Sequence, residues 1–175
     1  PQMLMSIRTL NLDEVNKLGE GVKAIALPDE RWDHVDIKTT NLIPNILAQT
    51  KAEKKFAYTA MLFRDGICTE GATSNVFAVK DGILYTHPAD NHILKGITRQ
   101  MIVTRVAPSL GITLIEKEFD RAFVDDADEL FFTDTIGGVI PIIKLDKNPV
   151  SGGKPGHVTL RLREALEKLM EEGLP

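Results

Sequence analysis

The sequence predicts an α+β domain dominated by antiparallel hairpins, with about three helices, and three observations lead there. Short runs rich in Val, Ile, Leu and Phe are separated by Asp-Gly and other glycine-containing turns through residues 58–88. Segments with helical spacing flank this block instead of alternating regularly with strands. The length, 175 residues, suits one domain with a sizeable core and leaves little room for two.

Taken in order, residues 3–9 read as a strand, and NLDEVNKLGEG as a loop that turns at Gly19 to Gly21. VKAIAL and HVDIK read as two further strands, separated by the turn-like PDERW. From Thr40 to Lys55 the positions Leu42, Ile43, Ile46, Leu47 and Thr50 recur at helical spacing, with Pro44 in the first turn, where proline is tolerated. YTAMLF, ICTEG, SNVFAVK and ILYTHP then form hairpins around the turns RDG and DG. A helix over 98–109 opens at Gly96-Ile97-Thr98 and closes near Pro108 to Gly111. TLIEKEF is a strand, RAFVDDA a short helix, and ELFFTDT a strand running into Gly137-Gly138. VIPIIKLD and a last helix, HVTLRLREALEKLMEEG, complete the chain. No internal repeat, linker or low-complexity tract interrupts it.

Composition excludes several classes. The 43% hydrophobic and 26% charged content is that of an ordinary soluble globular protein. A formal charge of -4 provides no basic patch for nucleic acid. No apolar stretch approaches the roughly 18 residues of a membrane span, and no charged segment precedes an apolar run to make a signal peptide, so a cytoplasmic protein is expected. One cysteine, Cys68, cannot form an internal disulfide. The four histidines and Cys68 show no metal-ligand spacing, so no metal site is expected. The chain opens at Pro1 rather than methionine, which reads as a start removed or a longer parent cut.

Four short stretches could carry chemistry. Lys38 follows the alternating HVDI and precedes Thr39, Thr40 and Asn41, residue types that cap helices. A lysine at a strand end is most often simply solvated, but partial desolvation between uncharged neighbours would lower its pKa, as a nucleophilic amine needs. Glu70 begins the loop of TEGATSNVF and is either a turn carboxylate in water or a carboxylate held beside a ring nitrogen. In ILKGITRQ the glycine before a helix start offers free backbone N–H groups and Thr98 adds a hydroxyl; this is a generic anion cradle or a merely capped end. FFTDTIGGV places Thr133 and Thr135 at a strand end before two glycines, as further phosphate donors or as a tight turn. Each stretch alone favours its plainer reading.

Together, VDIKTTNL, TEGATSNVF, ILKGITR and FFTDTIGGVIPI, in this order and at these separations, resemble the motifs of the class IV (fold-type IV) pyridoxal-phosphate-dependent aminotransferases. The resemblance runs from about Val22 to Leu169 and leans to the D-amino-acid aminotransferase type within a family that also holds branched-chain aminotransferases and aminodeoxychorismate lyases. It implies the barrel-like large domain of that fold and pyridoxal 5'-phosphate as cofactor. It makes Lys38 the catalytic Schiff-base lysine and proton shuttle, and Glu70 the partner of the pyridine nitrogen. It puts Leu94 against the ring and has Gly96, Ile97, Thr98 and Thr135 hold the phosphate, with Thr135 and Ile136 toward a substrate carboxylate. Ala72 and Thr73 stand where serines are common in the D-amino-acid type, and Asp134 and Gly137-Gly138 also depart from the commonest pattern. The implied partners are an amino acid and a 2-keto acid, and the full-length parent is expected to be a homodimer. Residues 1–175 are then expected to be a C-terminal cofactor-binding domain without the N-terminal small domain. A lyase releasing pyruvate from aminodeoxychorismate, and a non-catalytic phosphoanion-binding or assembly domain, are the competing readings.

Overall fold

The computed structural model describes residues 3–7 and 9–173. The first helix, α1 (Leu12–Lys17), runs into a 3-10 turn at Leu18–Glu20 and then into β1 (Val22–Pro28). A loop that carries Lys38 leads to α2 (Ile43–Glu53), followed by β2 (Thr59–Arg64), β3 (Ile67–Gly71), β4 (Asn75–Lys80) and β5 (Ile83–Thr86). Helix α3 (Ile97–Met101) continues through a π-helical turn (Ile102–Val106) into α4 (Ala107–Ser109). β6 (Leu114–Glu116), α5 (Arg121–Asp125), β7 (Glu129–Asp134), β8 (Gly138–Leu145), β9 (Asn148–Pro149) and α6 (His157–Glu171) follow.

The strands form one mixed sheet in the order β3-β2-β1-β8-β7-β4-β5-β6, with β9 added beside β8. β1 is parallel to both β2 and β8, and β5 to β6, while the other neighbours are antiparallel. The α+β architecture agrees with the sequence reading, although the described residues hold five separate α-helical stretches where about three were expected. Two hairpin turns form where Asp-Gly falls between apolar runs. Asp65 and Gly66 have φ of 50° and 83°, and Asp81 and Gly82 have 51° and 74°. Positive φ at both central residues matches the right-handed twist of the flanking strands, which is why Asp-Gly is selected there.

Alternation along the central strands feeds two separate cores. Val76, Ala78, Phe132 and Ile140 face one side with Met61, Val22 and Phe119. Phe77, Val79, Phe131 and Val139 face the other, where Leu162 and Leu166 of α6 and Ile102 and Val106 of the π-helical turn cover them. Phe77 and Phe131 stack with ring centroids 4.9 Å apart, each burying enough apolar surface to contribute about 2–3 kcal/mol. Ala48 and Ala52 of α2 lie over Ala60 and Leu62 of β2, small side chains that bring the helix close to the sheet. α6 is tied down at its start by Glu129 of β7, whose carboxylate accepts the N–H groups of Val158 (2.9 Å) and Thr159 (2.8 Å).

Three readings of the sequence differ from the structure. No strand forms over residues 3–7 or at 9; Met3, Leu4, Met5 and Ile7 are exposed, and an extended run becomes a strand only when another strand supplies its hydrogen bonds. The polar segment after Leu10 is helical rather than a loop, with Asp13 and Glu14 in the first turn and Lys17 in the last, charges that suit the helix dipole. HVDIK is a turn, closed by Ile37 N–H to His34 O at 3.1 Å. Two alternating apolar residues are too short a signal, and Ile37 is exposed rather than half-buried.

Candidate active site

A cavity of about 320 Å3 opens at the ends of β3, β4 and β7, between the Lys38 loop and the start of α3. Its wall brings together Lys38, Glu70, Leu94, Gly96, Ile97, Thr98 and Thr135, which the chain separates widely. Ile136 is not among them: it is exposed and lines a second, smaller hollow beside α6, which Thr135 borders as well. Thr135 thus borders both hollows, whereas Ile136 borders only the second.

Glu70 sits at the end of β3, almost fully buried, with both oxygens engaged. Oε1 accepts from the Arg31 guanidinium; Oε2 accepts from Asn75 Nδ2 (2.8 Å) and from the Leu94 N–H (3.0 Å). Burial pushes its carboxyl up to about 7, against the pull of Arg31 and the Leu94 N–H. Arg31, which the sequence reading placed in a plain turn, is the buried counterpart. Its Nε and Nη2 donate to the two oxygens of Asp29 at 2.8 and 2.7 Å, and Nη2 also reaches His92 O at 3.3 Å. Burial works against the ionised forms of Arg31 and Asp29, yet their bonds to each other hold Asp29 below its ordinary value and Arg31 above its own.

Lys38 stands on the opposite, exposed side, on a loop held at several points. Val35 N–H donates to Asn91 O (2.9 Å), Asn91 Nδ2 to Asp33 O (2.7 Å), and Arg64 Nη2 to Arg31 O (2.8 Å). The Asn41 N–H donates to Thr39 Oγ1 at 3.1 Å, a local bond that ends the loop just before α2.

The third component is the start of α3. No side chain caps it, so the first N–H groups after Gly96 have no partner within the helix. Gly96 is required by a close approach: a Cβ there would overlap Asn75 Oδ1, on the side chain that also holds Glu70. Thr98 Oγ1 donates to Asp134 O at 2.8 Å, which locks the helix start to the end of β7. Two hydroxyls in the cavity wall, Ser74 Oγ and Thr133 Oγ1, are buried without any partner. Buried polar atoms are rarely left unpaired, so these mark where a polar ligand group fits.

The donor set matches pyridoxal 5'-phosphate part by part. A free amine suits its aldehyde, a buried carboxylate a protonated ring nitrogen, and an uncapped helix start with unpaired hydroxyls a phosphate.

Comparison with known proteins agrees. The family model described as "Amino-transferase class IV" matches residues 1–145. The chain belongs to the class IV aminotransferase family. It is 42% identical over 154 residues to the D-alanine aminotransferase of Staphylococcus aureus (strain COL), covering 88% of this chain and 54% of that protein. The crystal structure of branched-chain aminotransferase from Thermoproteus uzoniensis with norvaline superposes with a TM-score of 0.80 at 31% identity, covering 86% of this chain and 52% of that one. The branched-chain amino acid aminotransferase of Escherichia coli gives a TM-score of 0.75 at 30% identity, over 86% and 52%. The chain spans about half the length of the curated relatives it matches.

Two contributors escaped the sequence reading. Arg31 could have been suspected from its place just after Asp29 and Glu30 only if its burial were known. Asn75 lies within TEGATSNVF, but only the fold shows its role: its amide donates to Glu70 Oε2 and to Leu94 O, both at 2.8 Å.

Proposed function

We propose that the chain forms the cofactor-binding part of a pyridoxal 5'-phosphate-dependent aminotransferase that moves an amino group between an amino acid and a 2-keto acid. The observation that carries this reading is the cavity bordered jointly by Lys38, Glu70 and the uncapped start of α3. When bound, the cofactor supplies an electron sink for the pair left behind as the substrate Cα–H bond breaks. The work of the protein's own groups follows from their positions. Glu70, engaged by Arg31, Asn75 and Leu94, would be the carboxylate that keeps a proton on the ring nitrogen of a bound cofactor. The N–H groups after Gly96, with Ser74, Thr133 and Thr135, would hold the phosphate. Lys38 Nζ, on the exposed loop, would be the amine that holds the cofactor's aldehyde end and the base that would carry the substrate Cα proton.

D-amino acids are the favoured donors in this proposal. The 42% identity to a D-alanine aminotransferase supports them. Branched-chain L-amino acids are the second reading, supported by the TM-scores of 0.80 and 0.75 to branched-chain enzymes. The domain reading, residues 1–175 as the cofactor-binding domain of a longer parent that is cytoplasmic and dimeric, belongs to the same proposal. The exposed Ile43, Ile46 and Leu47 of α2 are a face that such a contact would cover.

The test is borohydride reduction of the chain with pyridoxal 5'-phosphate, then peptide mapping. Label on Lys38 is expected, and a reduced chain bearing none there would sink the proposal. Transamination of D-alanine against L-leucine by the longer parent then separates the two donor classes.

A further inference from the structure

Away from this cavity, the described residues bring His87, Asp90 and His92 together, each offering a ligand atom within 4.8 Å of the others. We propose that these three side chains bind a divalent transition-metal ion of the zinc class, and that the ion braces the loop behind Arg31 and Lys38. The sequence reading expected no metal here, because it counted histidine and cysteine spacings and left out the aspartate between the two histidines.

The geometry is that of a site slightly open. Asp90 Oδ1 lies 3.7 Å from His87 Nδ1, and Asp90 Oδ2 3.7 Å from His92 Nδ1. Both separations are too long for hydrogen bonds, so the carboxylate stands between two ring nitrogens and bonds neither. Around a tetrahedral ion with ligands at about 2.0 Å, neighbouring ligand atoms are about 3.3 Å apart. The three ligand atoms span up to 4.8 Å, so an ion would draw these side chains together. The backbone is already set: Asp90 N–H donates to Pro88 O and His92 N–H to Asp90 Oδ1, both at 2.8 Å. His87 Nδ1 lies 2.9 Å from Pro88 O, a contact that needs a proton on that nitrogen. Metal binding through Nδ1 would move this proton to Nε2. His87 is buried, while Asp90 and His92 are partly exposed and give the ion its entry. Two imidazoles and one carboxylate suit zinc, cobalt or nickel better than calcium or magnesium, which favour all-oxygen sites.

Occupancy would be felt at the cavity. Asn91, between two of the ligands, accepts the Val35 N–H and donates to Asp33 O, and His92 O accepts from Arg31. The ion therefore stiffens the segment that holds both the Glu70 counterion and the loop leading to Lys38. This site does not depend on the function proposed above.

The experiment titrates the untagged, metal-free chain, without cofactor, with Co2+ by visible absorption and with Zn2+ by calorimetry. One ion per chain is expected, with Kd raised about tenfold or more in Asp90→Asn and in His92→Ala. Asparagine keeps the acceptor for His92 N–H, and unchanged melting without metal shows that both variants fold. Binding left intact in either variant, or absent below millimolar metal, overturns the site. Amide exchange at Val35 is expected to slow on saturation with Zn2+; an unchanged rate overturns the bracing.

Discussion

Replacing Arg31 by methionine keeps much of the apolar stem and deletes the guanidinium and its charge, leaving Asp29 and Glu70 without their shared counterion. The Asp29 side chain is wholly buried and that of Glu70 is 5% exposed, so water cannot substitute for the guanidinium. Removing one partner from a buried ion pair costs about 3–5 kcal/mol, because the other charge stays behind. Two features favour the lower end. Arg64 Nη2 remains 3.6 Å from Asp29, and Glu70, already raised to about 7, escapes part of the penalty by taking up a proton. A loss of about 3 kcal/mol corresponds to a fall of about 6–12 °C in Tm for a domain of this size. Urea unfolding at pH 5 and pH 8 measures it, and the loss should be smaller at pH 5, where Glu70 is protonated. A loss below about 1 kcal/mol would show that the guanidinium does not hold these carboxylates. An equal loss at both pH values would assign the effect to packing and refute the electrostatic argument.

Four further outcomes follow from the same geometry. Gly96→Ala drives a methyl into Asn75 Oδ1; because Asn75 is buried and bonded to Glu70, a loss of about 1–3 kcal/mol in unfolding free energy is expected, with weaker cofactor binding by absorbance titration. Glu129→Ala leaves the N–H groups of Val158 and Thr159 without their acceptor, and denaturant melts should show about 2 kcal/mol less stability. Glu70 is raised in the folded chain, so its contribution is fully present below 4.5 and lost as pH climbs to about 7; Glu70→Gln should flatten that part of the stability profile. The lowered value of Asp29 acts in the opposite sense, its contribution being present above 3.8 and lost on further acidification, so the two windows separate. Lys38→Ala should change stability by no more than about 0.5 kcal/mol, since the side chain is exposed, while abolishing borohydride labelling.

What could be read from the sequence was whatever short-range chemistry decides. Asp-Gly turns between apolar runs set both hairpins, and the spacing of Leu42, Ile43, Ile46 and Leu47 located α2 to within a few residues. Those four residues are nonetheless not its buried face; Ala48 and Ala52 are, because the helix lies too close to β2 for larger side chains. The helix start at Gly96 was legible because glycine followed by threonine marks a boundary whatever lies around it. Pairing partners were less accessible: the parallel neighbours β1 and β8 lie more than a hundred residues apart, and nothing local in either strand names the other. HVDIK failed for the same reason, since alternation shows that a segment could be a strand without showing that a neighbour exists to pair with it. Arg31 was missed because an arginine among acidic residues in a turn has the pattern of a solvated ion pair. Only the fold brings Glu70 and the His92 carbonyl to it and closes water out.

The two sides of the cavity are built with different rigidity, and the division suits their chemistry. Glu70 rests on β3, its oxygens fixed by three donors from three separate segments, so a ring nitrogen would meet a carboxylate that does not reorganise. The phosphate-type donors are equally fixed, because Thr98 ties the start of α3 to β7 and Gly96 lies against Asn75. Lys38 is held differently: its loop is pinned at Arg31, Asp33 and Val35, while its own side chain is exposed. Under the function proposed above, Lys38 would carry a proton between two atoms, which needs reach more than rigidity. A group that only holds a proton on a ring nitrogen needs the reverse. The buried network around Arg31 joins the two sides, since the same residue that holds Glu70 also anchors the loop leading to Lys38. Disturbing Arg31 should therefore alter the protonation of Glu70 and the placement of Lys38 together, whereas disturbing either end alone should leave the other in place.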